Sequence, residues 1–183
     1  MMEQPLITSV TYSNSEARVT LLGIPNKSGA AASIFGALAD VGVNVDMISQ
    51  NQPVSANGLA ELSFTVPRAD IATASGALRP LAGESFAELR TLDKMGKVSI
   101  VGAGLRSHAE ISAKVFSVLA GEGVNIDIIS MSPIKISCAI ADEQVERAAL
   151  ALQVAFGLSG SDTLVVEDPF DEVRQRGLGE SVA

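Results

Sequence analysis

Apolar positions along the 183-residue chain change period several times, and each change predicts an element. Arg18–Ile24 is apolar and β-branched, the signature of a strand. Pro25-Asn26-Lys27-Ser28-Gly29 is turn chemistry. From Gly29 to Val41, the residues Ile34, Phe35, Leu38 and Val41 recur at helical spacing, and Gly42 stands where a helix-ending glycine belongs. Val43, Val45 and Met47 alternate, which predicts a second strand, and Gln52–Gly58 reads as a polar loop. Glu61–Val66 alternates again before Pro67. Ile71, Ala74, Leu78 and Leu81 then mark a second helix, and Phe86–Leu92 a fourth strand. The order is β-α-β-β-α-β, a ferredoxin-like unit.

The same order follows a second time. Val19-Thr-Leu-Leu-Gly23, Ile34-Phe35 and Gly42-Val-Asn-Val-Asp-Met-Ile-Ser49 are echoed by Val98-Ser-Ile-Val-Gly102, Val115-Phe116 and Gly123-Val-Asn-Ile-Asp-Ile-Ile-Ser130. The offset is 79 residues at Val19/Val98 and 81 at Phe35/Phe116, which puts two extra residues in the first loop of the second copy. A period this long is a duplicated small domain rather than a solenoid. The second copy predicts a strand at Lys97–Gly102, a helix from His108 to Gly121, strands at Val124–Met131 and Ile134–Ile140, and a helix from Asp142 to Phe156. Two segments can supply its last strand: Thr163–Glu167, or the N-terminal Ile7–Tyr12, which has no partner in the first copy. In the second case the first unit is inserted within the second. The expected fold is α+β: two ferredoxin-like units in tandem, antiparallel sheets with helices on one face. The first spans residues 14–93 and the second 94–168, completed by a strand at 6–13. The polar residues 169–183 are expected to form a loose tail.

Composition narrows the function. At 47% hydrophobic residues the chain can build a core, and with six Phe, one Tyr and no Trp that core must be aliphatic. A formal charge of −8, with Lys and Arg scattered, argues against nucleic acid as a partner, because phosphate contacts need a clustered positive surface. No apolar run approaches the roughly 20 residues of a membrane span. The N-terminus lacks the basic-then-apolar pattern of a signal peptide, and a single cysteine fits a reducing cytoplasm.

Catalytic patterns are missing. There is no phosphate-binding G-x-x-x-x-G-K-[ST], no H-E-x-x-H and no C-x-x-C. One histidine, His108, and one cysteine, Cys138, cannot supply a His/Cys metal site. Cys138 falls in a predicted strand, as a buried structural thiol does. The repeated Asn-x-Asp is more informative: Asn44 and Asp46 recur as Asn125 and Asp127, each at the start of the predicted second strand. Asn there can cap a helix or turn. It can equally offer a donor and an acceptor to a zwitterionic amino acid, beside a helix start whose free N–H groups suit a carboxylate.

Asn26-Lys-Ser-Gly29, Ile34-Phe-Gly-Ala-Leu-Ala39, Val43-Asn-Val-Asp-Met-Ile-Ser-Gln-Asn51 and Leu62-Ser-Phe-Thr-Val-Pro67 resemble the first ACT domain of the aspartate kinases. Lys97-Val-Ser-Ile-Val-Gly-Ala-Gly104, Arg106-Ser-His108, Val124-Asn-Ile-Asp-Ile-Ile-Ser130 and Ile134-Lys-Ile-Ser137 resemble the second. The resemblance runs from Ile7 to Leu158. It implies the regulatory region of an enzyme that phosphorylates L-aspartate with ATP at the head of lysine, threonine and methionine synthesis. No catalytic residue is expected in this chain, and ATP and Mg would belong to the catalytic domain upstream. The partners implied are a second copy of the chain, paired ACT to ACT, and a catalytic α subunit or kinase domain. The effector implied is threonine, or lysine and threonine together, in the cytoplasm.

Carried over by residue, the effector pocket lies between the first unit of one chain and the second unit of its partner copy: Asn26, Ser28, Gly29, Ala31 and Gln50 come from the first unit, and Asn125 and Ile126 complete it from the second. A second effector site would use Asn44, Val45 and Asp46 with Ser112 and Ser132. Three departures from the family pattern stand out. Asn26 replaces an aspartate and removes a charge that could pair with an effector ammonium, from which either a threonine affinity about tenfold weaker or an altered selectivity is expected. Ala109-Glu110 replaces Pro-Gly and favours helix. Ser132-Pro133 replaces Ser-Glu and removes a carboxylate and a backbone donor. If these changes abolish binding, the alternative is a structural dimerisation module.

Overall fold

The computed structural model describes residues 6–25, 27–51, 58–159 and 163–166. The chain divides into two compact units, and the division points fall inside two long strands. Strand β1 runs Leu6–Pro25 and strand β4 runs Glu88–Ala103. Residues 15–93 form the first unit; residues 6–14 join those from Lys94 onward in the second. The first repeat is therefore inserted within the second.

In the first unit, β1 leads into helix α1 (Ala30–Asp40), strand β2 (Ile48–Asn51), strand β3 (Leu59–Pro67) and helix α2 (Ile71–Leu78), which a 3-10 turn extends to Leu81. The sheet order is β2-β3-β1-β4. β3 is antiparallel to both β1 and β2, and Ala87, just before β4, donates its N–H to Leu22 O. Alternation along β1 and β3 turns Val19, Leu21, Leu62 and Phe64 toward the helices, where they bury Ile34, Leu38, Ala74 and Leu78. The Phe35 and Phe64 rings meet at 5.5 Å.

The second unit repeats the design with helix α3 (Ala109–Gly121), strand β5 (Ile128–Met131), strand β6 (Lys135–Ala141) and helix α4 (Val145–Ala155). Its order is β5-β6-β4-β1, with strand β7 (Leu164–Val166) beyond β1. Both candidates for the closing strand are therefore used. The N-terminal half of β1 lies beside β4, where Thr8 Oγ1 donates to Val101 O at 3.2 Å. β7 pairs with β1 in parallel, Val10 opposite Leu164, so the sheet is not wholly antiparallel. The core gathers Val98, Ile100, Val115, Leu119, Ile136, Cys138, Ile140 and Leu152.

Three expectations need correction. The expected strands Phe86–Leu92 and Lys97–Gly102 are one strand, β4, which starts at Glu88 and runs through both. The intervening Asp93-Lys94-Met95-Gly96 looks like a break, but Met95 is fully buried and Gly96 lies where a side chain would strike Val145 and Ser13 O. The second strand of each unit is short: it begins at Ile48 and Ile128, not at Val43 and Val124. Val43 and Met47 are buried, but their segment makes only isolated bonds to its neighbour, Asp46 N–H to Thr65 O and Thr65 N–H to Met47 O. The two extra residues of the second copy do not all lengthen a loop. α3 has 13 residues against 11 in α1, and Ala109-Glu110 form the added N-terminal half-turn. The expected tail at 169–183 lies outside the described residues.

Burial explains the thiol. Desolvation raises Cys138 from its ordinary 9.0 to about 12, so it stays protonated and inert. The unfolded thiol ionises first as pH rises. Its contribution to stability is complete below 9 and is lost between 9 and about 12. Urea unfolding at pH 8 and pH 10.5 should show a fall in stability that Cys138→Ala lessens; an equal fall in the variant contradicts this. A Cβ at Gly96 would approach Ser13 O at 2.6 Å, so Gly96→Ala should cost about 1–3 kcal/mol in thermal or urea unfolding. Gly121→Ala, at a helical position with open space, should be neutral or stabilise by about 0.5–1 kcal/mol.

Candidate functional site

The junction between β1 and α1 is where the first unit departs from regular packing. The β1–β3 register shifts between Leu22 and Ile24 around Gly23, which has φ +73° and could not carry a Cβ beside Ala87. This bulge re-aims the strand end and turns Ile24 into the core. The chain then reverses: Lys27 N–H donates to Pro25 O at 2.8 Å, and Gly29, at φ +94°, starts α1. No side chain caps this helix start, and its first turn holds no acid. Ala30 N–H reaches Lys27 O at 3.4 Å, and the first full helical bond is Ser33 N–H to Gly29 O. The N–H groups of Ala31 and Ala32 thus have no partner one turn back in the helix, and the positive end of the helix dipole points outward.

A pocket of about 210 Å³ opens at this junction. Ile24, Ala30, Ile34 and Leu62 make its apolar floor; Pro25, Lys27, Gly29, Ala31 and Gln50 make its rim. It is smaller than the ~300–1,000 Å³ typical of drug-sized ligands, as suits a small metabolite. The chemistry converges: amide donors and an ammonium for a carboxylate, a side-chain amide that both donates and accepts, and an aliphatic floor for a short side chain. The hollow of about 830 Å³ between α3 and α4, lined by Val118, Leu150 and Val154 among others, has no such convergence.

Of the expected pocket residues, Gly29, Ala31 and Gln50 come together. Ser28 is exposed in the turn and is not part of the lining. Asn26 lies outside the described residues. Asn125 and Ile126 lie in the second unit and are expected from a partner copy; the described lining residues come from the first unit. Lys27 and the floor residues were missing from the expected set; Lys27 stands inside the turn motif itself, whereas the role of Ile24 depends on the bulge.

Asn44 and Asn125 occupy equivalent places after the first helix of each unit, ahead of the short strand rather than within it. The helix ends are closed by main-chain bonds, Val43 N–H to Leu38 O and Val124 N–H to Leu119 O, not by these amides. Val45 is half-buried and Asp46 exposed. Ser112 donates to Ala109 O at 2.9 Å, and Ser132 closes its own turn by donating to Lys135 O at 3.2 Å. His108 precedes α3 rather than lying in it, its ring nitrogen 2.8 Å from Gly104 O. Among the described residues, no group of three or more His, Cys, Asp or Glu could hold a metal ion, and no helix is long and apolar enough to cross a membrane.

The ACT domain family matches twice, at residues 19–79 and 98–156. Aspartokinase of Mycobacterium bovis is 42% identical over 166 residues, which is 90% of this chain and 39% of that protein. The chain thus spans about two fifths of such relatives. The ligand-free regulatory subunit of aspartate kinase from Thermus thermophilus superposes with a TM-score of 0.78 at 38% identity, covering 82% of this chain and 99% of that one. A structure of aspartokinase α and β subunits gives 0.76 at 40% identity, covering 83% and 99%. Duplicated sheet-and-helix units, onto which nearly the whole of a regulatory subunit superposes, place this chain in the ACT-domain family as the regulatory part of an aspartate kinase.

Proposed function

We propose that this chain senses an end-product amino acid, threonine or lysine or both, and so restrains the ATP-dependent phosphorylation of L-aspartate by a catalytic partner. The observation that carries the reading is the pocket at the start of α1. The free N–H groups of the first turn and Lys27 would hold the α-carboxylate, Gln50 a polar group, and the floor of Ile24, Ile34 and Leu62 an aliphatic stem. ATP and Mg would bind the catalytic partner.

Regulation requires the effector to bind two states of the enzyme unequally. A coupling of about 1–3 kcal/mol, or 5–150-fold in affinity, is typical. Edge strands give the chain a route to self-association. Ile48 in β2 is 53% exposed, and Ile129 and Met131 in β5 are 50% and 46% exposed, each on the outermost strand of its own sheet order. Apolar groups at open sheet edges favour pairing with another chain.

Calorimetric titration of the chain with threonine and lysine, singly and together, should give saturable heat; no heat and no thermal shift would leave only the dimerisation module. Ala31→Leu, at an exposed pocket position, should weaken binding about tenfold or more, and Gln50→Ala about fivefold, the cost of one hydrogen bond. Asn26→Asp should tighten binding about tenfold by restoring a charge-assisted bond. Light scattering should find a dimer that Ile129→Lys shifts toward monomer; an unchanged mass would remove β5 from the interface.

A further inference from the structure

Helix α4 carries the most exposed large apolar side chain among the described residues: Val154 is 79% exposed, and Leu150, one turn earlier, is 51% exposed. Both line the hollow between α3 and α4, beside Val118, Ala151 and Ala155. The first unit shows the same helix without them. Short 3-10 turns at Arg68–Asp70 and Asp142–Gln144 lead into α2 and α4, an offset of 74 residues from Arg68 to Asp142, and buried Ala74 and Leu78 match buried Ala148 and Leu152. At that offset Leu150 answers to Gly76 and Val154 to Pro80. Packing of the helix on its sheet therefore does not require large apolar groups at these places. What differs is the chain that follows. The first unit passes straight on along β4, whereas the second is followed by residues 167–183, which lie outside the described residues.

That segment starts beside the hollow. β7 runs back along α4: Gln153, near the end of the helix, donates to Thr163 Oγ1 at 2.9 Å, and Val166 pairs with Tyr12. The next residue, Ser13, lies by the start of α4, since a side chain at Gly96 would strike both Ser13 O and Val145. Glu146, Leu150 and Gln153 are spaced i, i+4, i+7 and share the flank of α4 that faces β7. Leu164 packs on the core, and Val166, on the same side of the strand, is 69% exposed. Extended, Glu167–Pro169 covers about 10 Å, enough to climb from the sheet onto a helix. The sequence beyond suits the hollow. Asp168-Pro169 is a helix start, Asp171 and Glu172 favour a first turn, Arg174 and Arg176 a last one, and Gly177 a stop. A helix over 169–176 puts Phe170 and Val173 on one stripe with Arg174 and Arg176 on either side. The hollow is complementary: its apolar centre lies between Glu146 on the β7 flank of α4 and Glu122 at the end of α3, which is 3.8 Å from Arg147. Eight residues are too few for a stable helix in water, so such a segment holds its helix only when docked.

We propose that residues 169–176 fold back as a short helix into the hollow between α3 and α4, with Phe170 and Val173 covering Leu150 and Val154 and the two arginines beside Glu146 and Glu122, so that this segment straps β7 to the helix layer of the second unit. Hydrogen–deuterium exchange on the full chain tests it. Amides 172–176 should exchange about tenfold or more below their unstructured rate, and Leu150→Asp/Val154→Asp, at two exposed positions, should restore that rate while α4 keeps its own protection. No protection in the wild type overturns the strap, and so does protection that survives the double variant. A second measurement does not depend on the folding of that variant. With Val154→Cys/Val173→Cys, oxidation should form a disulfide within one chain, Cys138 being buried. Linkage only between two chains gives the groove to a second copy and overturns the assignment to the chain's own segment; no linkage at all overturns it as well.

Discussion

The contact between a helix pair and one face of a sheet governs the geometry of each unit. Ile34 and Leu38 in the first unit, and Val115 and Leu119 in the second, are buried almost completely against strand residues of matching alternation. Full burial of such a side chain contributes about 1.5–3 kcal/mol. With its inner stripe held this firmly, α1 cannot slide along the sheet. The place where it begins, relative to where β1 ends, is therefore set by the core. The gap at that junction is a by-product of packing that leaves helix dipole, ammonium and amide facing one small volume.

A site made this way is well placed for regulation without chemistry. Its main-chain donors belong to a helix start, the Lys27 ammonium and the Gln50 amide stand at its rim, and its floor carries no titratable side chain. Its apolar residues are part of the unit's core, since Ile24, Ile34 and Leu62 belong to the same buried cluster as Phe64 and Leu78. A ligand that reorders the turn at Lys27–Gly29 therefore acts on residues continuous with the packing of α1. The buried thiol of Cys138 has no part in this, nor do the hydroxyl pairs Thr20/Ser63 and Ser99/Ser137, which repeat each other at 2.9 and 2.8 Å.

Most of the fold is legible in the sequence because its signals are periodic. The helices at Ile34–Leu38 and Val145–Leu152 announce themselves by spacing, and the duplication of Val-Asn-x-Asp fixes which elements correspond. What escapes is not periodic. Alternation at Val43, Val45 and Met47 reports burial of every second residue, but a strand also needs a continuous ladder, and only isolated bonds form there. Polar Asp93-Lys94 next to Gly96 reads as a loop, because the sequence does not disclose that Gly96 is small to let Val145 approach. At the site, Gly29, Ala31 and Gln50 were legible through resemblance. The burial of Leu105 in the second unit was not, because Gly102-Ala-Gly-Leu-Arg-Ser-His108 has the composition of an exposed turn.

The insertion of one unit within the other has a consequence for synthesis. The N-terminal half of β1 is made well before its partner in β4: Thr8 and Val101 are 93 residues apart. The whole of the first unit, Ser15–Asp93, emerges in between. At roughly 5–20 residues per second, that strand must wait about 5–20 s on the ribosome with its edge unsatisfied. The inner repeat can fold at once from contiguous chain, whereas the outer one cannot begin to close until its neighbour is complete.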